Sequence, residues 1–352
     1  MVEILVTVVC IELAFRIWHQ YKFNRPYHVS IKHAWKDSYV IPHPYLSFAY
    51  KRNSKIDKNQ KLPYELHPNK FYSFKEPLKI NSLGHFGPEA TKEKTKIRVL
   101  CIGASTTANN ISDGTTDYTY PSILQKQLGD EYEVLNGGIG GWITPDILIN
   151  FQLNLLKLNP DIVLLYHGYN DLQYHLMHNV QSDYSHGRKN LGEVLGLIKR
   201  ANVLPKIRFW HSYEFIKDKL FGTGNVRNDV LNLINKLPIN YLNTYESLKI
   251  EKDILENIFI LCKHHDIKLI PSSFVYYNYK KDMASNKLQK GVELQNKNMK
   301  QLSDTYNTPF VDQYKLIPKK KKYFVDTIHF SPDGMKLLAE NFGIMIKNLY
   351  IK

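Results

Sequence analysis

Four short stretches carry residue types and spacings suited to acyl transfer: Gly103-Ala104-Ser105, the glycine run Asn136 to Gly141 followed by Trp142, Gly168-Tyr169-Asn170-Asp171, and Asp326-Thr327-Ile328-His329. A serine hydroxyl attacks a carbonyl only when a base takes its proton, and His329 is a candidate for that base. Asp326, three residues earlier on the same turn, is placed to accept the second ring N–H and to stabilise the imidazolium. The tetrahedral intermediate needs preorganised donors, and the backbone N–H groups of Ser105 and Gly141 with the side-chain amide of Asn170 offer three. Trp142 and Tyr169 flank these groups, either lining an acyl or sugar pocket or packing beneath it. Each stretch is commonplace alone. A Gly-x-Asn-Asp run is an ordinary turn, and the glycine run lacks the G-x-G-x-x-G spacing and the downstream acidic residue of a dinucleotide loop.

The elements that must hold these stretches read as alternating strands and helices. Ile97 to Ile102 is apolar apart from Arg98 and rich in β-branched residues, which predicts a buried strand ending at Gly103. Tyr120 to Leu128 reads as a helix with Pro121 in its first turn. Tyr132 to Leu135 is a second strand, with Asn136 to Gly141 expected as a loop. Pro145 opens a helix to about Leu158, and Ile162 to Tyr166 is a strand apolar enough to be buried on both faces of a parallel sheet. After the interruption described below, Leu248 to His264 reads as a helix, Lys268 to Pro271 as a strand, Gly291 to Tyr306 as a helix, Pro309 to Val311 as a short strand and Pro332 to Tyr350 as the closing helix. The pattern predicts a three-layer α/β fold with a mostly parallel sheet, and the four stretches then fall at strand carboxyl ends or just before the last helix, where such folds place their chemistry.

Taken as a set, the motifs Ile102-Gly103-Ala104-Ser105, Asn136 to Gly141, Gly168-Tyr169-Asn170-Asp171 and Asp326-Thr327-Ile328-His329 resemble the SGNH hydrolase superfamily, the GDSL-like lipases and esterases. The resemblance spans about residues 97 to 350 less an insertion. It implies a flavodoxin-like three-layer fold and hydrolysis of esters, among them lipids and acetylated sugars. It casts Ser105 as nucleophile, Ser105, Gly141 and Asn170 as oxyanion hole, and Asp326 and His329 as the rest of the triad. The stretch Asn81 to Glu89 also resembles a lead-in of larger, membrane-anchored bacterial members. One departure is Ala104, where the family often carries an aspartate outside the triad.

Domain organisation follows: residues 1–20 as a candidate membrane anchor or signal-like segment, 21–96 as an accessory region of short strands and loops punctuated by prolines, and 97–352 as the hydrolase-like domain with an insertion at about 172–240, long enough to roof the site. Ile4 to Trp18 is apolar but short of the ~20 residues that span a bilayer comfortably, and it contains Glu12 and Arg16. The basic residues behind it would keep the rest of the chain in the cytoplasm by the positive-inside rule, while an envelope enzyme needs the opposite. The expected setting is therefore the membrane or cell envelope, with sidedness open.

The 352 residues carry 47 basic and 33 acidic side chains, a formal charge of +14, and 43% hydrophobic residues, enough for a large core. Such charge suits an anionic surface or substrate, or simply a lysine-rich exterior; no nucleic-acid-binding signature accompanies it, so no nucleic-acid partner is expected. Lys319 to Lys322 precede the Asp326 loop and would concentrate an acidic acyl substrate or form a solvated loop. Cys10, Cys101 and Cys262 read as buried free thiols. The pairs His175 and His178, and His264 and His265, lack accompanying Cys or carboxylate ligands, so no metal and no cofactor are expected. The function expected is a serine esterase acting through an acyl-enzyme on O-acylated carbohydrate or lipid esters. The alternatives are an O-acyltransferase using the same triad and a non-catalytic envelope or assembly protein that retains the fold.

Overall fold

The computed structural model describes residues 2–23, 39–41, 43–56, 62–64, 67–72, 77–108, 119–175, 181–184, 212–213, 216 and 246–349. Most of the 172–240 insertion expected to roof the site, with its helical patches at 191–198 and 230–237, lies outside them.

The central elements, numbered from the first sheet strand, are β1 (Ile97–Gly103), α1 (Tyr120–Leu128), β2 (Tyr132–Gly138), α2 (Thr144–Asn150), β3 (Ile162–Tyr166), α3 (Glu246–His264), β4 (Lys268–Pro271), α4 (Met283–Thr305) and α5 (Pro332–Asn348). The sheet runs β2-β1-β3-β4 and every pairing is parallel. Val311 bridges Ser272 in parallel beyond β4, which reduces the expected Pro309 to Val311 strand to one bridge in the fifth position. This is the flavodoxin-like order, with its direction reversal between β1 and β3, and the crevice above that reversal is where open α/β sheets bind ligands.

The strands are apolar because both faces are covered. On β1, Leu100 and Ile102 join a core with Ile147, Phe151, Leu255 and Phe259 beneath α2 and α3. Val99 and Cys101 join the opposite core with Tyr120, Leu124, Leu338 and Phe342 beneath α1 and α5. The alternation is the period-2 geometry of a strand read on both sides. Helix α4 wraps over the sheet edge: Leu288 and Val292 pack on one side, Met299 and Leu302 on the other.

Arg98, the one charge in β1, is 3% exposed and fully engaged. Its Nε donates to Glu133 Oε2 at 2.5 Å, one Nη to the Leu158 carbonyl and the other to Thr91 O at 2.8 Å. Burial raises the Glu133 proton affinity, but the Thr91 N–H and Arg98 outweigh it and hold the carboxyl below its usual range.

Three expectations are corrected. Asn136 to Gly138 is strand, not loop: β2 continues in register with β1, pairing Gly137 with Ile102 and Gly138 with Gly103. The glycines there serve close approach, since a Cβ on Gly138 would stand 2.6 Å from the Ala108 nitrogen. Helix α4 begins at Met283 rather than Gly291, because the Asp282 side chain caps it by accepting the Ser285 N–H at 2.7 Å, and Ala284 and Leu288 in its first turns are buried. Cys10 is exposed, whereas Cys101 and Cys262 are buried. The helix from Thr144 also departs from regularity, widening to a π turn over Phe151–Leu155 and tightening over Leu156–Leu158.

In the accessory region, Val40–Ile41 pairs with Ala49–Tyr50, Ser54–Ile56 with Leu78–Ile80 and Leu62–Tyr64 with His67–Tyr72, all antiparallel. Leu46, Phe48, Tyr50, Leu78, Ile80 and Phe86 are buried in the same core as α2 and α3, so this region is part of the main body. The N-terminal helix Val2–Phe23 leaves Ile4, Leu5, Ile11 and Ile17 exposed. Among the described residues no helix is long and apolar enough to cross a membrane.

Candidate active site

Ser105 opens a single helical turn, Ser105–Ala108, directly after β1. The tight exit depends on Gly103, where a Cβ would collide with Thr107 Oγ1 and the Tyr166 carbonyl. Ala104, in place of the more polar residue, is 6% exposed, and its carbonyl accepts the Thr107 and Ala108 N–H groups at 3.0 and 2.9 Å.

His329 arrives from the other side, on the loop before α5. That loop is fixed by the Phe324–Phe330 bridge, by Val325 N–H on the His329 carbonyl at 2.8 Å and by Tyr277 N–H on Thr327 O at 2.8 Å. The chain then enters α5 through Ser331, whose Oγ accepts the Gly334 N–H, with Pro332 in the first turn.

Ser105 Oγ lies 2.9 Å from His329 Nε2, and His329 Nδ1 lies 2.8 Å from Asp326 Oδ2. Asp326 Oδ1 separately accepts the N–H groups of Ile328 at 2.9 Å and His329 at 2.8 Å. Burial raises the Asp326 pKa, but the hydrogen bond and charge of His329 with the two backbone donors outweigh it, and the result is about 2. An ionised carboxylate accepts only, so the proton between them sits on His329 Nδ1 and the Nε2 lone pair faces Ser105.

Among the described residues, the backbone N–H groups of Ser105 and Gly141 take no protein acceptor. Gly141 holds φ +80°, a conformation that favours glycine, and the Phe48 ring lies 3.3 Å from where its Cβ would stand. Asn170 donates one amide hydrogen to the Trp142 carbonyl at 2.8 Å; the amide has a second. The residue before it, Tyr169, holds φ +22°, uncommon for a non-glycine residue and typical of sites whose surroundings over-determine the backbone. Its ring stacks on Tyr276 with centroids 5.9 Å apart.

Of the two roles expected for Trp142, lining a pocket or packing, its surroundings are those of a packed residue. It is 1% exposed, its Nε1 donates to the Phe48 carbonyl at 3.0 Å and its ring meets His85 edge-on, so it packs the loop down.

Asp171 is fully buried: it accepts the Thr144 N–H at 3.1 Å and meets His167 Nε2 at 2.6 Å. Burial raises its proton affinity, but His167 foremost outweighs that and holds the carboxyl below its usual range. It thereby anchors the start of the helix Asn170–His175, and with it Asn170. Further along, His175 Nε2 lies 3.0 Å from Glu251 Oε2 and 3.3 Å from the Tyr184 hydroxyl. Among the described residues no group of three or more His, Cys, Asp or Glu side chains could hold a metal ion. Lys319 to Lys322 are exposed, with Lys319 over the Tyr314 ring at 4.1 Å.

The accessory-region residues that hold the glycine loop and the start of α2 were not among the site residues expected from the sequence. Tyr50 Oη accepts the Gly140 N–H at 2.9 Å, Ser47 binds both oxygens of Asp146, and His85 Nδ1 lies 3.3 Å from Gly138 O. These partners are separated by 53 to 99 residues, beyond any local pattern.

A model of the GDSL-like lipase/acylhydrolase family matches residues 101–337. The chain is also similar to solved structures. An acetyl xylan esterase, AlAXEase, is 15% identical over 71% of this chain and 100% of its own, with a TM-score of 0.41. A lipase/acylhydrolase from Enterococcus faecalis is 15% identical over 71% and 95%, with a TM-score of 0.43. A GDSL-like lipase from Bacteroides thetaiotaomicron is 15% identical over 74% and 93%, with a TM-score of 0.41. No curated protein matches the chain.

Proposed function

Because the chain belongs to the GDSL-like lipase/acylhydrolase family, we propose that it is a serine esterase with Ser105, His329 and Asp326 as catalytic triad. The observation that carries this reading is the unbroken hydrogen-bond chain from Ser105 Oγ to His329 and from His329 to Asp326, at 2.9 and 2.8 Å.

In the proposed sequence His329 Nε2 takes the hydroxyl proton as Ser105 Oγ bonds to the ester carbonyl carbon. Asp326 stabilises the imidazolium across Nδ1–H. Ser105 N–H, Gly141 N–H and the second amide hydrogen of Asn170 receive the oxyanion. Collapse expels the alcohol, which takes the proton from Nε2 and leaves an acyl-Ser105. Water, deprotonated by the same nitrogen, then releases the carboxylic acid and restores the serine.

The acyl donor we propose is an O-acylated carbohydrate or a lipid ester; the +14 formal charge and the exposed lysines before Asp326 support an acidic one. The exposed apolar side chains of Val2–Phe23 support seating of this helix at a lipid surface without spanning it. Flotation with anionic vesicles, lost on replacing Ile4, Leu5 and Ile11 by serine, tests that seat.

Turnover of p-nitrophenyl acetate by the protein, Ser105→Ala and His329→Ala tests the reading. Both variants are expected to lose turnover while melting with the parent. Retained turnover in Ser105→Ala would overturn it. A methyl glycoside acceptor added to the assay separates hydrolysis from transfer, since a transferase yields the acylated glycoside in place of free acid.

A further inference from the structure

The loop that carries Gly141 is held by residues of the accessory region. Tyr50 is 2% exposed, and its ring packs against Tyr39 and Phe86, each with centroids 5.1 Å away, so its hydroxyl is held in place. That hydroxyl accepts the Gly140 N–H at 2.9 Å. A Cβ on Gly140 would stand 3.1 Å from the Tyr50 oxygen and 3.7 Å from Ser105 Cβ, so phenol, loop and serine meet within one layer of atoms. Two residues earlier, the Phe48 carbonyl takes Trp142 Nε1–H, and the Phe48 ring closes the face of Gly141. On the far side, the Trp142 carbonyl accepts from Asn170. Gly140 to Trp142 is thus pinned at three points, two of them supplied by residues 48–50.

We propose that Tyr50 is a positioning residue of the oxyanion hole: by fixing the peptide plane at Gly140 it aims the next N–H, that of Gly141, at the oxygen on which charge develops. The proposal rests on the serine-esterase reading above. An unpaired N–H at Gly140 is relieved by rotating that peptide, and rotation misdirects the Gly141 donor. The effect falls on the transition state, because a donor aimed at the oxyanion contributes little to the ground-state carbonyl.

The test compares the full-length protein with Ser105→Ala, Tyr50→Phe and Gly140→Ala, using p-nitrophenyl acetate and an alkyl boronic acid, which forms a tetrahedral adduct on an activated serine. Phenylalanine keeps the ring packing and removes only the acceptor. Alanine at 140 leaves Tyr50 packed and sets a methyl 3.1 Å from its hydroxyl oxygen, so the loop must give by about a few tenths of an ångström and the Gly140 peptide is displaced. Both are expected to lower kcat about 10- to 100-fold with KM within twofold, and to raise the boronate inhibition constant in proportion to the loss of kcat. A purely structural contact would shift melting without that split. If Ser105→Ala abolishes turnover while Tyr50→Phe keeps the parental kcat, or changes KM alone, the positioning role is overturned; should Tyr50→Phe fail to fold, the same outcomes in Gly140→Ala decide the matter. If Ser105→Ala keeps parental turnover, it is the esterase reading that fails.

Discussion

Replacing Asp326 by asparagine isolates the carboxylate's effect on the histidine from its effect on the loop. The two carboxylate oxygens have separate duties. Oδ1 accepts both backbone N–H groups, from Ile328 and His329, while Oδ2 faces His329 Nδ1. An asparagine therefore has one favoured orientation. With its oxygen at the Oδ1 position it keeps both backbone bonds; the flipped amide would set its NH2 against two donors, at about 1–3 kcal/mol for each bond lost. In the favoured orientation the NH2 lies 2.8 Å from Nδ1, where the carboxylate oxygen was. Nδ1 must then accept, the ring proton moves to Nε2, and the lone pair that should take the Ser105 proton is gone. The expected loss is on the order of 10³–10⁴ in kcat, or about 4–5 kcal/mol of barrier, the scale known for this tautomer inversion in serine proteases. Stability should change by less than about 1 kcal/mol, since the lost ionic contact is 40% exposed on the Asp326 side and is screened by solvent. Steady-state ester turnover beside urea unfolding reads both quantities. A variant that keeps more than about a tenth of parental kcat would refute the orienting role, and one that unfolds would refute the division of duties between the oxygens.

Three further outcomes follow from named contacts. Burial lowers the His85 pKa from 6.5 to about 4 against the opposing effect of the Gly138 carbonyl, so the unfolded chain takes up a proton first as pH falls. Its contribution is fully present above pH 6.5 and is lost towards pH 4, a decline of about 3 kcal/mol in unfolding free energy; urea melts across this window should show it, and His85→Gln, which can donate to Gly138 and accept from Asn150, should flatten it. Arg98→Ala leaves Glu133 without its guanidinium partner and the Leu158 carbonyl without its donor, and should cost about 3–5 kcal/mol by urea unfolding, where a loss under 1 kcal/mol would show that the pair is dispensable. Gly138→Ala drives a methyl to 2.7 Å from Thr107 Cβ and 2.6 Å from the Ala108 nitrogen, so the Ser105–Ala108 turn must move; about 1–3 kcal/mol of stability and most of the turnover should go together, and full turnover would mean the turn tolerates displacement.

The parallel sheet was legible because its strands are short, mainly apolar runs alternating with helices, and Ile162–Tyr166 and Lys268–Pro271 appear with the bounds expected. Helix Tyr120–Leu128 also matches, because Thr119 and Pro121 mark its start and Gly129 its end. Failures came where local rules were overridden. Glycine signals loops, yet Gly137 and Gly138 are strand residues chosen for lack of bulk beside β1 and the Ser105 turn. The sequence left Trp142 open between lining a pocket and packing, because its partners, the Phe48 carbonyl and the His85 ring, lie far away in the chain. Ser105, Asp326 and His329 could be picked out by type and order, since acyl transfer needs those three chemistries. Tyr50, Ser47 and His85 could not: the stretch Asn81 to Glu89 carried a family resemblance but no role for His85, and all three reach the site only because the short antiparallel pairs fold back on the core.

The central claim, that Ser105 is a nucleophile activated by His329, is tested most directly by covalent labelling. Full-length protein would be treated with a fluorophosphonate, digested and analysed by mass spectrometry, beside His329→Ala. One phosphonyl adduct on the peptide containing Ser105, formed at least a hundredfold more slowly in His329→Ala, is the expected result, given the 2.9 Å contact between Oγ and Nε2. An adduct on another residue, or labelling of Ser105 at the same rate without the histidine, would contradict it.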